Sequence, residues 1–488
     1  MIHHRCLLAA VAFTHVALAA TATPALAQQA AFDRTKAPAL APTPPLTVPT
    51  ATTRRLANGP ALHVVEHREL PLVQVTLTLA GGGRLDRDQP GLASFVANLL
   101  DEGAGTRDAN ALQSELAYLG ASLSTAASWD FTTLSLKVSR RNLEAALDLM
   151  ADVVLRPTFA AAEVRRQRDL RLASILQQKD QPNSLAGLAI NQAIFPVGHP
   201  YRSALGGDSA STAALDSATV RNAYDGSVRP ERATFYVVGD LSAADAERVI
   251  AARFGRWVSR GPERRPAPVL VNAVRAQGNQ VILVDKPGAA QSVIVIGAPG
   301  VERTSPDYAA ISVMNTILGG SFSSRLNTVL RETKGYTYGA STGFSWRPLP
   351  GPFSASSGVR TNVTDSSLVE FFREMKSIRD TPVSAEELAR AKAYLTLAIP
   401  GDLESVAQIA GQMASLSAWN LKLDELRAFV EKVEAVTVAD VQRVAQRYVP
   451  AENAFIVIVG DLNQIRAGIE ALRLGTITIR DVNELTKE

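Results

Sequence analysis

One landmark occurs twice in this chain, and it constrains the fold more than any other feature. Val228-Arg229-Pro230 leads into the apolar run 233–238 and then Gly239-Asp240-Leu241. About 220 residues further on, Tyr448-Val449-Pro450 leads into the apolar run 454–459 and then Gly460-Asp461-Leu462. Each run is rich in β-branched and aromatic residues, stops at Gly-Asp-Leu and gives way to a helical pattern. Other landmarks recur in the same order. Strand-like pairs open each half, at 61–65 with 73–79 and at 280–284 with 293–296, and helical stretches follow at 92–100 and 308–318. A repeat this long is no solenoid unit. It predicts two homologous α+β domains, each a mainly antiparallel sheet with helices packed on one face.

The ends and joints of those domains follow from composition. His3, His4 and Arg5 precede an apolar stretch at 7–20, and Ala25-Leu26-Ala27 offers a small-x-small cleavage site, so residues 1–27 read as a signal peptide. The expected location is periplasmic or secreted. The apolar stretch falls short of the ~18 residues a membrane span needs, and no span is expected elsewhere. Five prolines make 28–53 an extended arm, and Gly261, Pro262, Pro266 and Pro268 mark 259–275 as a linker. The domains are then 54–258 and 276–488. Cys6 is the sole cysteine and leaves with the signal, so the mature chain has no thiolate and only His63, His67 and His199. Fifty basic against 47 acidic residues, with no basic run, leave no footprint for nucleic acid.

Two motifs match a pattern and fail its geometry. His63-Val64-Val65-Glu66-His67 is a literal H-x-x-E-H, which holds zinc when a helix sets residues four apart side by side. This copy follows the turn signal Asn58-Gly59 and reads as a strand, which would separate the histidines by about 13 Å. A short helix there would instead make a self-sufficient zinc metalloendopeptidase of His63, Glu66 and His67, and that alternative stays open. The run 339–343 matches a nucleophile elbow around Ser341, but no histidine follows His199 to serve as its base. The Gly319-Gly320-Ser321 loop lacks the Gly-Lys-Ser/Thr of a phosphate loop.

A third pattern is more specific. Residues 90–103 read as a helix with Leu92, Phe95, Val96, Leu99 and Leu100 at core spacing, after a strand and the Gly-rich turn 81–83. This order of motifs resembles the catalytic helix of the pitrilysin/insulinase family of zinc peptidases, over about residues 52–475. The resemblance implies that Ser94 and Asn98 stand for the two histidine ligands, Ala97 for the general-base glutamate and Ser174 for the third ligand, with Gln167 at a supporting glutamate. All four chemistry-bearing positions are then lost together, so no metal is expected in this chain. The stretch 318–326 running into 330–338 is similar to the family's C-terminal motif, which implies that Arg331 and Tyr338 reach an active site formed by the other half or by another chain.

By that resemblance the chain is the non-catalytic member of a pair. A zinc-bearing homologous subunit would hold the metal, and peptides or unfolded polypeptides would be the substrates. A purely structural or peptide-binding protein, with Arg331 and Tyr338 incidental, is the rival reading. His199-Pro200-Tyr201 resembles a family loop with a structural role. The stretch 122–138 resembles a strand that pairs with substrate backbone, and an ordinary sheet strand accounts for it as well.

Overall fold

Two six-stranded sheets organise the computed structural model, which describes residues 45–266 and 272–486. The signal peptide, residues 28–44 of the arm and residues 267–271 of the linker lie outside the described residues. The first half contributes β1 (Thr52–Arg55), β2 (Ala61–Glu66), β3 (Leu72–Ala80), a small hairpin of β4 (Gly103–Ala104) and β5 (Arg107–Asp108), β6 (Ser122–Ala127), β7 (Phe131–Ser139) and β8 (Ala233–Gly239). The second contributes β9 (Gln280–Asp285), β10 (Gln291–Pro299), β11 (Thr337–Phe344), β12 (Pro352–Arg360), β13 (Phe455–Gly460) and β14 (Thr476–Arg480).

The strand orders are β1-β2-β8-β3-β7-β6 and β11-β12-β10-β13-β9-β14. Read from the hairpin edge, β6-β7-β3-β8-β2 corresponds in order to β11-β12-β10-β13-β9, and pairing is antiparallel except β2 with β8, β9 with β13 and β14 with β9. Only the far edge differs. The first sheet is closed by a strand that precedes β2, the second by one that follows β13. Helices correspond as well: Leu92–Leu99 to Tyr308–Asn315, Leu143–Leu155 to Thr364–Asp380, Ala161–Gln178 to Ala385–Ala398, and Pro182–Ile194 to Val406–Ser417. The first Gly-Asp-Leu now has a reason. Gly239 has φ 150°, and a Cβ there would lie 2.2 Å from the Leu72 carbonyl oxygen as β8 runs out against β3.

The sheets are covered on both faces, one more than the sequence pattern led us to expect. Each is packed by its own helices on one side. On the other side the Pro182–Ile194 helix of the first half lies on β10 and β13, and the Val406–Ser417 helix of the second half lies on β3 and β8. Leu185, Ala189, Ile190 and Ile194 thereby share a core with Val284, Val293, Val457 and Val459. Gly297 makes room for it, since a Cβ there would meet Ile190 at 2.8 Å. The opposite crossing is more polar: Gln74, Thr76 and Thr78 alternate with the core residues of β3, and Tyr236 of β8 hydrogen-bonds Ser417. Burial on both faces explains why β3 and β13 read as near-continuous buried runs. From Thr47 onward the chain is one compact unit.

Candidate functional site

The Leu92–Leu99 helix begins at Gly91, where φ is 89°, and is capped by a side chain from outside it. The Asp86 carboxylate accepts from Gly91 N at 3.0 Å and from Ala93 N at 2.7 Å. Burial pushes Asp86 up to about 7, against the pull of those two amides and of Arg264 and Arg171. Leu92, Phe95, Val96 and Leu99 sink into the first core. Of the positions singled out on the other face, Ser94 and Ala97 are buried and Asn98 is exposed. Ala97 offers only its carbonyl, which accepts from Thr125 Oγ1 of β6 at 2.7 Å.

Ser94 and Asn98 converge on a residue that the sequence did not single out. Arg171, from the Ala161–Gln178 helix, donates through Nη1 to Gly91 O at 2.9 Å, to Ser94 Oγ at 3.0 Å and, at the limit of 3.5 Å, to Gly206 O. With its amide oriented by the hydrogen-bond network, Asn98 accepts from Arg171 Nη2 at 3.1 Å and donates to Ser94 O at 3.1 Å. The guanidinium stands 4.9 Å over the Phe95 ring. Its burial lowers it to about 10, still charged at any physiological pH. Ser174 is not drawn in. It lies exposed, three residues further along the same helix. Gln167 instead donates to Glu102, which also takes Arg166 at 2.5 Å.

Zinc does not fit this arrangement. It needs several deprotonated or imidazole donors converging on one point. Among the described residues no group of three or more His, Cys, Asp or Glu side chains could hold a metal ion. Ser94 and Asn98 are neutral, and the ionised group touching both is a cation. The literal H-x-x-E-H fares no better, because His63 lies on β2 between Thr53 and Tyr236. Its Nδ1 is 3.0 Å from Thr53 Oγ1, its ring stacks on Tyr236 at 5.5 Å, and Glu66 turns to Arg68 and the Ala243 amide. His199 is buried against Phe195 and Tyr201, and is lowered to about 4 by burial and by Arg347 and Arg84. It is a neutral packing residue. Ser341 sits on the edge strand β11, facing Ser356 Oγ at 3.4 Å.

The second half presents its pair on the surface. Arg331 lies in the helical turn Thr328–Thr333, its guanidinium 4.3 Å over the ring of the exposed Phe322. Tyr338 lies in β11 where the register against β12 shifts between Thr337 and Ala340, and its side chain is 89% exposed. A bulge on an edge strand re-aims a side chain, and here it turns a large aromatic into solvent. The two elements are clamped by Asn327, whose side chain donates to Ala340 O at 2.8 Å and accepts from Ala340 N at 3.0 Å. The sequence offered no signal for Asn327 beyond its place within the motif.

The comparisons with known proteins reach both halves, the second match beginning inside the first half. The family model "Insulinase (Peptidase family M16)" matches residues 63–206, and "Peptidase M16 inactive domain" matches residues 214–395. The chain belongs to the insulinase (M16) family. Within that family it is 30% identical over 282 residues to an uncharacterized zinc protease of Mycobacterium leprae, covering 56% of this chain and 62% of that one. It therefore spans less than two thirds of that relative's length. A probable mitochondrial-processing peptidase subunit beta of Arabidopsis thaliana is 20% identical, covering 86% of this chain and 80% of the plant protein. Among solved structures, the M16 inactive domain of Pseudomonas fluorescens matches with a TM-score of 0.78 at 29% identity, covering 84% of this chain and 98% of that one. A Helicobacter pylori protease shares the fold, with a TM-score of 0.79 at 19% identity over 85% of this chain and all of that one. An M16 fold with a hydrogen-bonded guanidinium against its first helix is thus what the first half contains.

Proposed function

We propose that this chain is the non-catalytic subunit of an exported M16-type zinc peptidase. In this reading it lends Arg331 and Tyr338, with part of the chamber wall, to peptides bound at a zinc-bearing homologous partner. The observation that carries the reading is Tyr338: a tyrosine 89% exposed at a bulge, in a chain whose first-half centre has no metal-ligand set among the described residues. A phenol held at such a bulge can donate to the oxyanion that forms when a peptide carbonyl is attacked. Arg331, resting over Phe322, can grip a peptide carbonyl or carboxylate. No step of the chemistry is assigned to the first half of this chain.

The test is peptidase activity of the chain mixed with a zinc-bearing homologue. The wild-type chain should be inactive alone and raise turnover on mixing. Tyr338→Phe should then lower kcat by ~10²-fold or more, the size typical of a lost oxyanion donor, and Arg331→Ala should chiefly raise KM. If the complex keeps full activity through both changes, the rival reading of a structural or peptide-binding subunit replaces this one. Turnover and stoichiometric zinc in the isolated chain would overturn both.

A further inference from the structure

The arrangement around Arg171 does more than lack a metal. We infer that the Arg171 guanidinium is a resident cation that replaces the metal as the joint between the Leu92–Leu99 and Ala161–Gln178 helices and keeps divalent cations out of this centre. The inference rests on the family match of the first half and not on any role for Arg331 or Tyr338, so failure of the partner reading would leave it standing.

A catalytic metal in such a fold links two helices by drawing donors from both. Arg171 does the same with hydrogen bonds. It leaves one helix and reaches Ser94 Oγ and the Asn98 amide on the other, together with the Gly91 carbonyl just before that helix starts and, more weakly, the Gly206 carbonyl. A guanidinium carries five N–H donors in a plane and no acceptor, so it binds acceptors only. Every partner here is neutral. The nearest opposing charge is Asp86, whose oxygens are taken up by the Gly91 and Ala93 amides at the helix start. The cation is therefore held by geometry and not by a salt bridge. Two physical consequences follow. A divalent ion at Ser94 and Asn98 would sit in contact with a fixed positive charge in a partly desolvated site, where repulsion is strong. A carboxylate introduced at the same place would be attracted.

Two experiments test these consequences. In the first, the four positions are restored together as Ser94→His, Ala97→Glu, Asn98→His and Ser174→Glu, with Arg171 either kept or changed to Val. Folding is monitored by circular dichroism and bound zinc counted by atomic absorption after dialysis against micromolar zinc. One zinc per chain is expected only when Arg171→Val is included, with affinity at least ~100-fold weaker when Arg171 is kept, which is the expected reach of a like charge in contact. Equal zinc uptake with and without Arg171, or none in a folded variant that has lost Arg171, would overturn the inference. In the second, Asn98→Asp sets a carboxylate against Arg171 Nη2 while giving up the amide's donation to Ser94 O, and it is compared with Arg171 kept and with Arg171→Met. Its effect on the folding equilibrium constant should be about tenfold more favourable where Arg171 is kept, the size of a charge-assisted hydrogen bond. An equal effect of Asn98→Asp in the two folded backgrounds would mean that no cation resides at this position.

Discussion

Each half ties helical regions together with a guanidinium, and the two joints rest on opposite electrostatics. In the first half Arg171 binds neutral acceptors. In the second, Arg325 reaches Glu387, on the Ala385–Ala398 helix that corresponds to Ala161–Gln178. It donates through Nε at 2.7 Å and Nη2 at 3.0 Å, with Ser377 Oγ at 3.3 Å from Nη1. That fork-on-carboxylate geometry pulls Glu387 down to about 2. A cavity of about 350 Å³, lined by Arg325, Glu387, Ser377 and Thr316, opens beside it. The difference teaches that the same mechanical task can be done by a neutral pair or by a lone charge. Only the lone charge dictates which ligands the site can take.

The largest effect should come from half-removing the pair. Glu387→Ala leaves Arg325 without its counter-ion and should cost about 2–4 kcal/mol in urea unfolding, while Arg325→Met with Glu387→Leu together should return to within about 1 kcal/mol of wild type. Next comes Arg171→Met, which strands neutral acceptors but relieves a buried charge, for a net loss of about 1–2 kcal/mol. Should Arg171→Met cost more than Glu387→Ala, the contrast between the joints fails. A smaller effect is carried by pH. Glu387 is depressed in the folded state, so its contribution is present above its ordinary value near 4.5 and is lost as pH falls toward 2. Discounted for partial exposure, this is on the order of 1 kcal/mol of acid sensitivity, which Glu387→Gln should remove and Arg171→Met should not. Smallest of all is Tyr338→Phe, which should leave stability within about 0.5 kcal/mol because the ring is in solvent; a larger loss would make Tyr338 a structural residue.

The duplication was legible because strands and their stop signals are local. A β-branched run ended by Gly239 or Gly460 needs no knowledge of its neighbours, and the strand reading of His63 followed from Asn58-Gly59 in the same way. Ser94, Ala97, Asn98 and Ser174 were assigned by their fixed places in a motif, and of these the structure brings only Ser94 and Asn98 to one group, Arg171. The exchange of helices was not. An apolar stripe such as Leu185, Ala189 and Ile190 announces that it will be buried but not by which sheet, and either half could have supplied it. Arg171 was hidden for a related reason. It sits in the run 165–171, where arginine is frequent and a solvated face is the natural expectation, and only the helix crossing aims this one inward. Asn327 and Asp86 work through backbone groups that no residue pattern displays.

The exchanged helices have one more consequence, which concerns the history of the chain during folding. Neither half can finish alone, because the last helix each sheet needs belongs to the other. The contacts that close both sheets join residues far apart in the sequence, such as Ile190 with Gly297 and Tyr236 with Ser417, and pairings so distant in sequence form late. Cleavage in the linker should therefore yield two fragments that each expose a bare sheet face, insoluble apart and soluble when refolded together. The molecule is a duplication in sequence and an indivisible object in assembly.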